Sequence, residues 1–188
     1  MSKKIGLIIG SVRTYRVGDK IAKWFLENSG ITSKFKVDVI DLREENLPFY
    51  DEMLAPMAMK QQFTKEHGKR WQAKINSYDG FVFVASEYNF GYAPALKNAI
   101  DYLFEEWKGK PAVIVSYGYA VAGTSSAAQL RHVLEKSMLG MKVMPTMPSV
   151  KLEGSMFNEQ GQFKDINKSF EPFKANAEKA VEELSGAF

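Results

Sequence analysis

Short apolar runs alternate with longer amphipathic stretches along the chain. The runs are continuous, as in Ile-Gly-Leu-Ile-Ile from Ile5 and Phe-Val-Phe-Val-Ala from Phe81. Continuous apolar runs of this length are typical of strands that are covered on both faces of a sheet. Five segments are predicted as strands, the last with the weakest pattern: Lys3–Ile9, Lys36–Asp41, Gly80–Ala85, Ala112–Tyr117 and Lys142–Pro145.

The stretches between the strands carry apolar residues at helical spacing. Ile21, Ala22, Phe25 and Leu26 fall on one stripe of the first stretch. Pro94 stands in the first turn of the third, where its missing N–H costs nothing. The predicted helices are Gly18–Asn28, Met59–Ser77, Ala93–Trp107, Ser125–Met138 and Phe170–Leu184, the last with Pro172 in its first turn.

The alternation of strands and helices predicts an α/β fold with a parallel sheet and helices on both faces. Five strands and five helices in 188 residues suit a flavodoxin-like, doubly wound sheet of order 2-1-3-4-5 better than a six-stranded dinucleotide fold. We find no repeat or linker, and we expect a single domain over residues 1–188. Ligands bind at the carboxyl ends of such strands, so the loops after strands one, three and four should carry the function.

The loop after the first strand is rich in groups that bind phosphate. It runs from Gly10 to Gly18 and leads into a helix, so free N–H groups meet the positive end of a helix dipole. Ser11 adds a hydroxyl, while Arg13 and Arg16 offer charge-assisted contacts. Neither the pyrophosphate fingerprint nor the Walker pattern is present. The alternative is that Ser11 caps the helix and both arginines are surface charges.

The loops after the third and fourth strands suit a planar ring. Asn89 offers amide donors and acceptors, and Tyr88 and Phe90 offer flat faces for stacking. The small residues after Tyr117 let the backbone approach a ligand, and their N–H groups could stabilise charge on a reduced ring. We therefore expect a phosphate at the first loop and a ring across the other two. Packing of the aromatic residues on the next helix is the alternative.

Composition excludes several classes of function. Cysteine is absent, which excludes disulfides, thiol nucleophiles and cysteine-ligated metals, and we expect no metal site. The net charge of +3 comes from scattered lysines, unlike the clustered stripe of a nucleic-acid-binding protein. The apolar run from Ile5 to Ile9 is too short for a signal sequence or a membrane span. We expect a cytoplasmic protein that binds neither nucleic acid nor membrane.

Several short motifs along the chain belong to one family pattern. They are Gly10-Ser11-x-Arg13, Arg16-Val17-Gly18, Leu47 to Glu52, Glu87-Tyr88-Asn89, Pro94 to Asp101, Glu106-Trp107, Lys110-Pro111, Ser116-Tyr117-Gly118 and Gln129-Leu130-Arg131. In these motifs the sequence resembles the NADPH-dependent FMN reductase family, which includes quinone, azo-dye and chromate reductases. The similarity extends to about Met147, and the Glu-Tyr-Asn segment with the following Leu-Lys-Asn-Ala-Ile-Asp is specific to the family.

The resemblance implies bound FMN, NADPH or NADH as hydride donor, and ping-pong transfer to quinones, azo compounds, flavins or similar acceptors. It also implies a homodimer, or a tetramer. No side chain is expected to be catalytic, because the flavin carries the chemistry. By position, the expected cofactor-binding residues are Ser11, Arg13, Arg16, Val17, Gly18, Ser86, Glu87, Tyr88, Asn89, Ser116, Tyr117 and Gly118, and the expected substrate-lining residues are Tyr119 and Phe90.

The chain departs from the family pattern at three positions. Ser86 stands where proline is usual, Gly91 where serine is frequent, and Tyr119 where a second glycine is common. A tyrosine ring at 119 could narrow the space over the flavin and affect the choice of acceptor. Two alternatives stay open. One is a flavodoxin-type electron carrier, which the positive charge disfavours because such carriers tend to be acidic; the other is a flavin-binding redox sensor.

Overall fold

The computed structural model describes residues 2–136 and 139–188. Its strands supply the frame on which the loops of interest are held. They are β1 (Lys4–Ile9), β2 (Lys36–Asp41), β3 (Gly80–Tyr88), β4 (Gly91–Tyr92), β5 (Pro111–Gly118), β6 (Lys142–Val143) and β7 (Ser149–Lys151).

Helices and one short 3₁₀ turn, Gly154–Met156, connect these strands. The helices are α1 (Gly18–Asn28), α2 (Ile31–Lys34), α3 (Leu42–Glu45), α4 (Pro56–Met59), α5 (Glu66–Asn76), α6 (Pro94–Asp101), α7 (Thr124–Lys136) and α8 (Ile166–Ser185). The longest, α8, is amphipathic. Among the described residues, no helix has the length and apolar character needed to cross a bilayer.

The sheet order is β2-β1-β3-β5-β6, which confirms the predicted 2-1-3-4-5 arrangement of parallel strands. The fifth position is divided between two short strands. β6 pairs with the start of β5 at Pro111 and Ala112, whereas β7 pairs with its end from Ser116 to Gly118. Only the first of these was predicted. β4 adds an antiparallel pair to the end of β3.

The predicted helix Met59–Ser77 is wrong in its first part. The backbone turns into the left-handed region at Lys60 and Gln61, with φ of 47° and 64°, which an α-helix does not accommodate. Helix α5 starts only at Glu66. The Glu52 carboxylate accepts the N–H groups of Thr64 and Lys65 at 3.0 and 3.1 Å, and so fixes the chain just before that start.

The predicted helix Ala93–Trp107 also ends early, at Asp101. The Glu106 carboxylate accepts the N–H of Phe104 at 3.1 Å, and the Trp107 indole donates to the Ile100 carbonyl at 3.1 Å. These side chains bond backbone groups that a longer helix would use for its own hydrogen bonds. The chain therefore forms turns where the helix was predicted to continue.

The remaining differences are shifts at the ends of elements. Strand β3 continues to Tyr88, so residues that were predicted as loop belong to the strand. Helix α8 begins at Ile166, which places Pro172 inside the helix and beyond its first turn. The predicted helix Ser125–Met138 is present as α7, but its last two residues, 137 and 138, lie outside the described residues.

Apolar side chains cover both faces of the sheet. One face packs Phe81 and Phe83 against Trp107. The other packs Trp24 of α1 edge-on against Phe170 of α8, with ring centroids 5.4 Å apart. Burial on both sides explains why the strands read as continuous apolar runs. The strand ends, and the loops that follow them, therefore start from a rigid base.

Candidate functional site

A cleft of about 200 Å³ lies at the carboxyl ends of β1, β3 and β5. It brings the three loops singled out from the sequence to one place, which is where ligands bind in sheets of this kind. Its lining consists of Ser11, Arg13, Tyr15, Arg16, Val17, Ser86, Glu87, Tyr88, Tyr117, Gly118, Tyr119 and Leu152.

The loop from β1 to α1 presents a row of unused hydrogen-bond donors. Gly10 anchors its start by donating to the Val84 carbonyl at 3.0 Å, and Val17 accepts the first helical N–H groups of α1. Between them, the backbone N–H groups of residues 11–15 have no acceptor within the described chain. Free N–H groups before a helix amino terminus form an anion-binding arrangement.

Ser11 joins this loop to β3. Its Oγ lies 2.7 Å from the Tyr88 hydroxyl, so the two groups share a hydrogen bond. The cap of α1 is Val17, and no side chain hydrogen-bonds to the start of that helix. The alternative that Ser11 only caps the helix is therefore wrong.

Arg16 is buried, with 8% of its surface exposed, and is not a surface charge. Its guanidinium holds both carboxylate oxygens of Asp41 and donates to the Ser11 carbonyl at 2.8 Å. Burial alone would raise the pKa of Asp41, but the hydrogen bonds from Arg16 and from the Arg43 N–H outweigh it and lower that pKa. Arg13, in contrast, is exposed.

Two buried polar atoms at the cleft lack partners within the described residues. They are Nε of Arg16 and Oγ of Ser86. Buried polar groups are rarely left unpaired, and at a cleft they indicate a ligand or water. Arg16 lies in the loop after β1 and Ser86 lies near the end of β3. A ligand in the cleft would lie between them.

Tyr117 is buried at the end of β5, and this burial raises its pKa to about 12. The phenol is therefore protonated at neutral pH and can act as a donor. A Cβ at Gly18 would lie 2.6 Å from the Tyr117 hydroxyl oxygen, so a larger residue there would displace the Tyr117 phenol. Gly18 thus shapes the cleft without lining it.

Glu87 holds the loop after β5 in place. Its carboxylate accepts the N–H groups of Ser125 and Ser126 at 3.1 and 3.2 Å, at the amino terminus of α7. A carboxylate at this end of a helix is favoured by the helix dipole. The preceding turn is close to the strand, because a Cβ at Gly118 would lie 3.1 Å from the Gly123 nitrogen.

Four predicted site residues do not line the cleft: Gly18, Asn89, Phe90 and Ser116. Asn89 and Phe90 form the tip of the β3–β4 turn with positive φ, and Phe90 is 57% exposed. The Ser116 hydroxyl lies 2.9 Å from that of Ser149 on β7. Their roles toward a cofactor stay predictions.

Sequence reasoning missed two residues that line the cleft. Tyr15 is 89% exposed in the phosphate loop, and its place among the other loop residues was the signal that could have found it. Leu152 follows β7, and its N–H donates to the Gly118 carbonyl at 3.0 Å. No sequence signal pointed to Leu152, because β7 was not predicted.

The cleft fits a flat ligand with an anionic tail. The unpaired N–H groups and Arg13 suit a phosphate, while Tyr88 and the glycine-rich backbone at Gly118 suit a ring. Residues 119–122 add N–H groups that have no acceptor within the described chain. These features agree with the groups that FMN presents.

Comparison with known proteins gives consistent matches. The family model described as NADPH-dependent FMN reductase matches residues 3–152, which include every residue that lines the cleft. An NAD(P)H-dependent FMN reductase of Nectria sp. is 48% identical over 148 residues, covering 76% of this chain and 72% of that protein. One of Schizosaccharomyces pombe is 43% identical over 152 residues, covering 81% and 74%.

Among solved structures, the flavoenzyme NAD(P)H:(acceptor) oxidoreductase FerB from Paracoccus denitrificans superposes with a TM-score of 0.72. The match covers 98% of each chain at 20% sequence identity. At this identity the similarity shows a common fold.

Proposed function

The chain belongs to the NADPH-dependent FMN reductase family, and from this premise we propose that it is an FMN-dependent NAD(P)H oxidoreductase acting on small electron acceptors. Quinones, azo compounds and flavins are the acceptor classes we propose. The observation that carries the proposal is the row of unpaired N–H groups in residues 11–15, on the loop that lines the same cleft as Tyr88 and Tyr117.

The first loop would hold the phosphate of FMN. Its N–H groups supply uncharged donors, and the exposed guanidinium of Arg13 supplies the positive charge. Arg16 keeps its charge paired with Asp41 and helps to shape the loop. Its Nε has no partner among the described residues and would be available to donate to the cofactor. Val17 and Gly18 start the helix whose dipole points at the same spot.

The ends of β3 and β5 would hold the ring. Ser86 offers a buried hydroxyl, and Tyr117 offers a buried, protonated phenol beside the hydroxyls of Ser86 and Ser11. The free N–H groups of residues 119–122 are placed to stabilise negative charge. When bound, FMN would supply the two-electron chemistry that links NAD(P)H oxidation to acceptor reduction. The side chains then bind, orient and donate hydrogen bonds.

The open side of the cleft would admit the nicotinamide and the acceptor in turn. Tyr119 is 62% exposed at its edge and would contact whichever of them is bound. A homodimer, a cytoplasmic location and a single domain over residues 1–188 are part of the proposal. Exposed apolar side chains such as Phe49 and Met53, at 79% and 98%, are consistent with an interaction surface.

The proposal is tested by initial rates with NADPH and a benzoquinone as the two varied substrates, on protein supplied with FMN. We expect parallel double-reciprocal lines, as for two half-reactions that share one site. No NADPH oxidation above that of free FMN would contradict the proposal. NADPH oxidation that requires a separate reductase would favour the electron carrier.

A further inference from the structure

Two arginines, Arg16 of the phosphate loop and Arg43 of α3, hold backbone carbonyls of that loop. Arg16 donates from Nη1 to the Ser11 carbonyl at 2.8 Å, and Arg43 donates from Nη2 to the Arg13 carbonyl at 2.5 Å. Both depend on Asp41 at the end of β2. Its carboxylate pairs with Arg16, and its Oδ1 accepts the backbone N–H of Arg43 at 2.9 Å.

The geometry of the peptide bond determines where two backbone N–H groups point when these carbonyls are held. A trans peptide is planar, with its C=O and N–H pointing to opposite sides, and every peptide bond in the described chain is trans. When Arg16 holds the Ser11 carbonyl, it fixes the Val12 N–H on the other side. In the same way, Arg43 fixes the N–H of Thr14. Neither of these N–H groups has an acceptor within the described residues.

We propose that Arg43 and Asp41 are positioning residues, which hold the Arg13 carbonyl and so aim the Thr14 N–H group at the cofactor phosphate. The inference rests on the proposed FMN site. It adds two residues, Asp41 and Arg43, that the motifs and the cleft lining did not single out.

Electrostatics favours the same arrangement. Carbonyl oxygens carry partial negative charge and would repel a phosphate if they faced it. Because Arg43 holds the Arg13 carbonyl, the N–H of the same peptide, that of Thr14, points to the opposite side and is available to an anion. The Arg16 charge is balanced by Asp41, so the phosphate meets a donor array and the single charge of Arg13.

The test compares FMN with riboflavin, which lacks the phosphate. Dissociation constants of both are measured by flavin fluorescence for the unmodified protein, for Arg43→Ala, and for Arg70→Ala. Arg70 is an exposed residue of α5, so this control makes the same change in net charge elsewhere. For Arg43→Ala we expect the preference for FMN over riboflavin to fall about ten-fold, with riboflavin affinity unchanged.

Measurement at high salt distinguishes an effect of Arg43 on loop geometry from a long-range attraction between its charge and the phosphate. Because the screening length is only about 3 Å in 1 M salt, the fall should persist there if Arg43 acts by holding the carbonyl. An unchanged FMN preference in Arg43→Ala, equal losses for both flavins, a fall that vanishes in 1 M salt, or the same fall in Arg70→Ala would overturn the positioning role. If the unmodified protein shows no preference for FMN, the proposed phosphate site itself is wrong, and the inference falls with it.

Discussion

Arg13 is the residue whose charge is free for a ligand. Its guanidinium makes no hydrogen bond or ion pair with any described side chain or backbone group. Arg13→Ala should weaken FMN binding by roughly 1.5–3 kcal/mol, because a charged hydrogen bond to the phosphate is lost. Titration of flavin fluorescence measures the effect, with Arg70→Ala as the control. Unchanged FMN affinity would show that the phosphate is not held at this loop.

Tyr119 stands at the open edge of the cleft, with its ring centroid 6.5 Å from that of Phe157. Tyr119→Gly should change the ratio of kcat/KM between bulky azo compounds and small quinones, because the ring limits the space available to an acceptor. FMN affinity should change less than about two-fold, since the phosphate loop is untouched. Tyr119→Phe keeps the ring and should keep the profile. Equal losses on all acceptors would argue against selection by Tyr119.

Gly123 occupies a turn that only glycine fits. Its φ is 78°, and a Cβ there would lie 2.4 Å from the Tyr117 nitrogen. Gly123→Ala should lower the free energy of unfolding by about 2–4 kcal/mol, because backbone strain and overlap add. Gly30→Ala is the matched control, with φ of 75° and open space, and should cost only about 1 kcal/mol. Urea unfolding measures both, and equal costs would contradict the overlap.

The stability that the Asp41–Arg16 ion pair gives to the folded chain should depend on pH. The pKa of Asp41 is lowered in the folded chain, as burial is outweighed by the hydrogen bonds from Arg16 and the Arg43 N–H. A lowered pKa stabilises the folded state at pH above the unfolded value of about 3.9, and this contribution is lost as pH falls through the folded value.

Urea unfolding of the natural chain and of Asp41→Asn at several pH values tests this. We expect the stability difference to be constant near neutral pH and to shrink below about pH 4. A difference that stays constant down to pH 2 would show that the ion pair does not contribute in this way.

The strands could be predicted because burial on both faces of the sheet requires continuous runs of apolar residues. Runs such as those from Ile5 and Phe81 have no polar position to interrupt them. The helix ends could not be predicted, because they are set by side-chain hydrogen bonds to the backbone that the apolar pattern does not show. Glu52 fixes the chain before α5, and Glu106 turns it after α6. Strand β7 has three residues and no pattern of its own.

The site could be predicted as far as its loops follow the strands. Ser11, Arg13 and Tyr88 were placed at the cleft by position alone. The different roles of Arg13 and Arg16 could not be predicted from the sequence. They depend on Asp41, which is 25 residues away from Arg16 along the chain. Only the folded sheet brings β2 beside the loop after β1.

At the scale of the whole molecule, the cleft is small and open. Its volume of about 200 Å³ is below the range of roughly 300–1,000 Å³ that encloses a whole ligand. A bound FMN would therefore keep one side exposed, which a ping-pong enzyme needs if donor and acceptor are to use the same face. The net charge of +3 suits the anionic phosphates of FMN and NADPH.

The most direct measurement is an anaerobic absorption spectrum of the protein after loading with FMN and removal of the free flavin, before and after addition of NADPH. We expect the flavin to stay with the protein and its absorption to be bleached rapidly by NADPH without any second protein. Retained flavin that NADPH leaves oxidised would contradict the reductase activity, and failure to retain flavin would contradict the cofactor site.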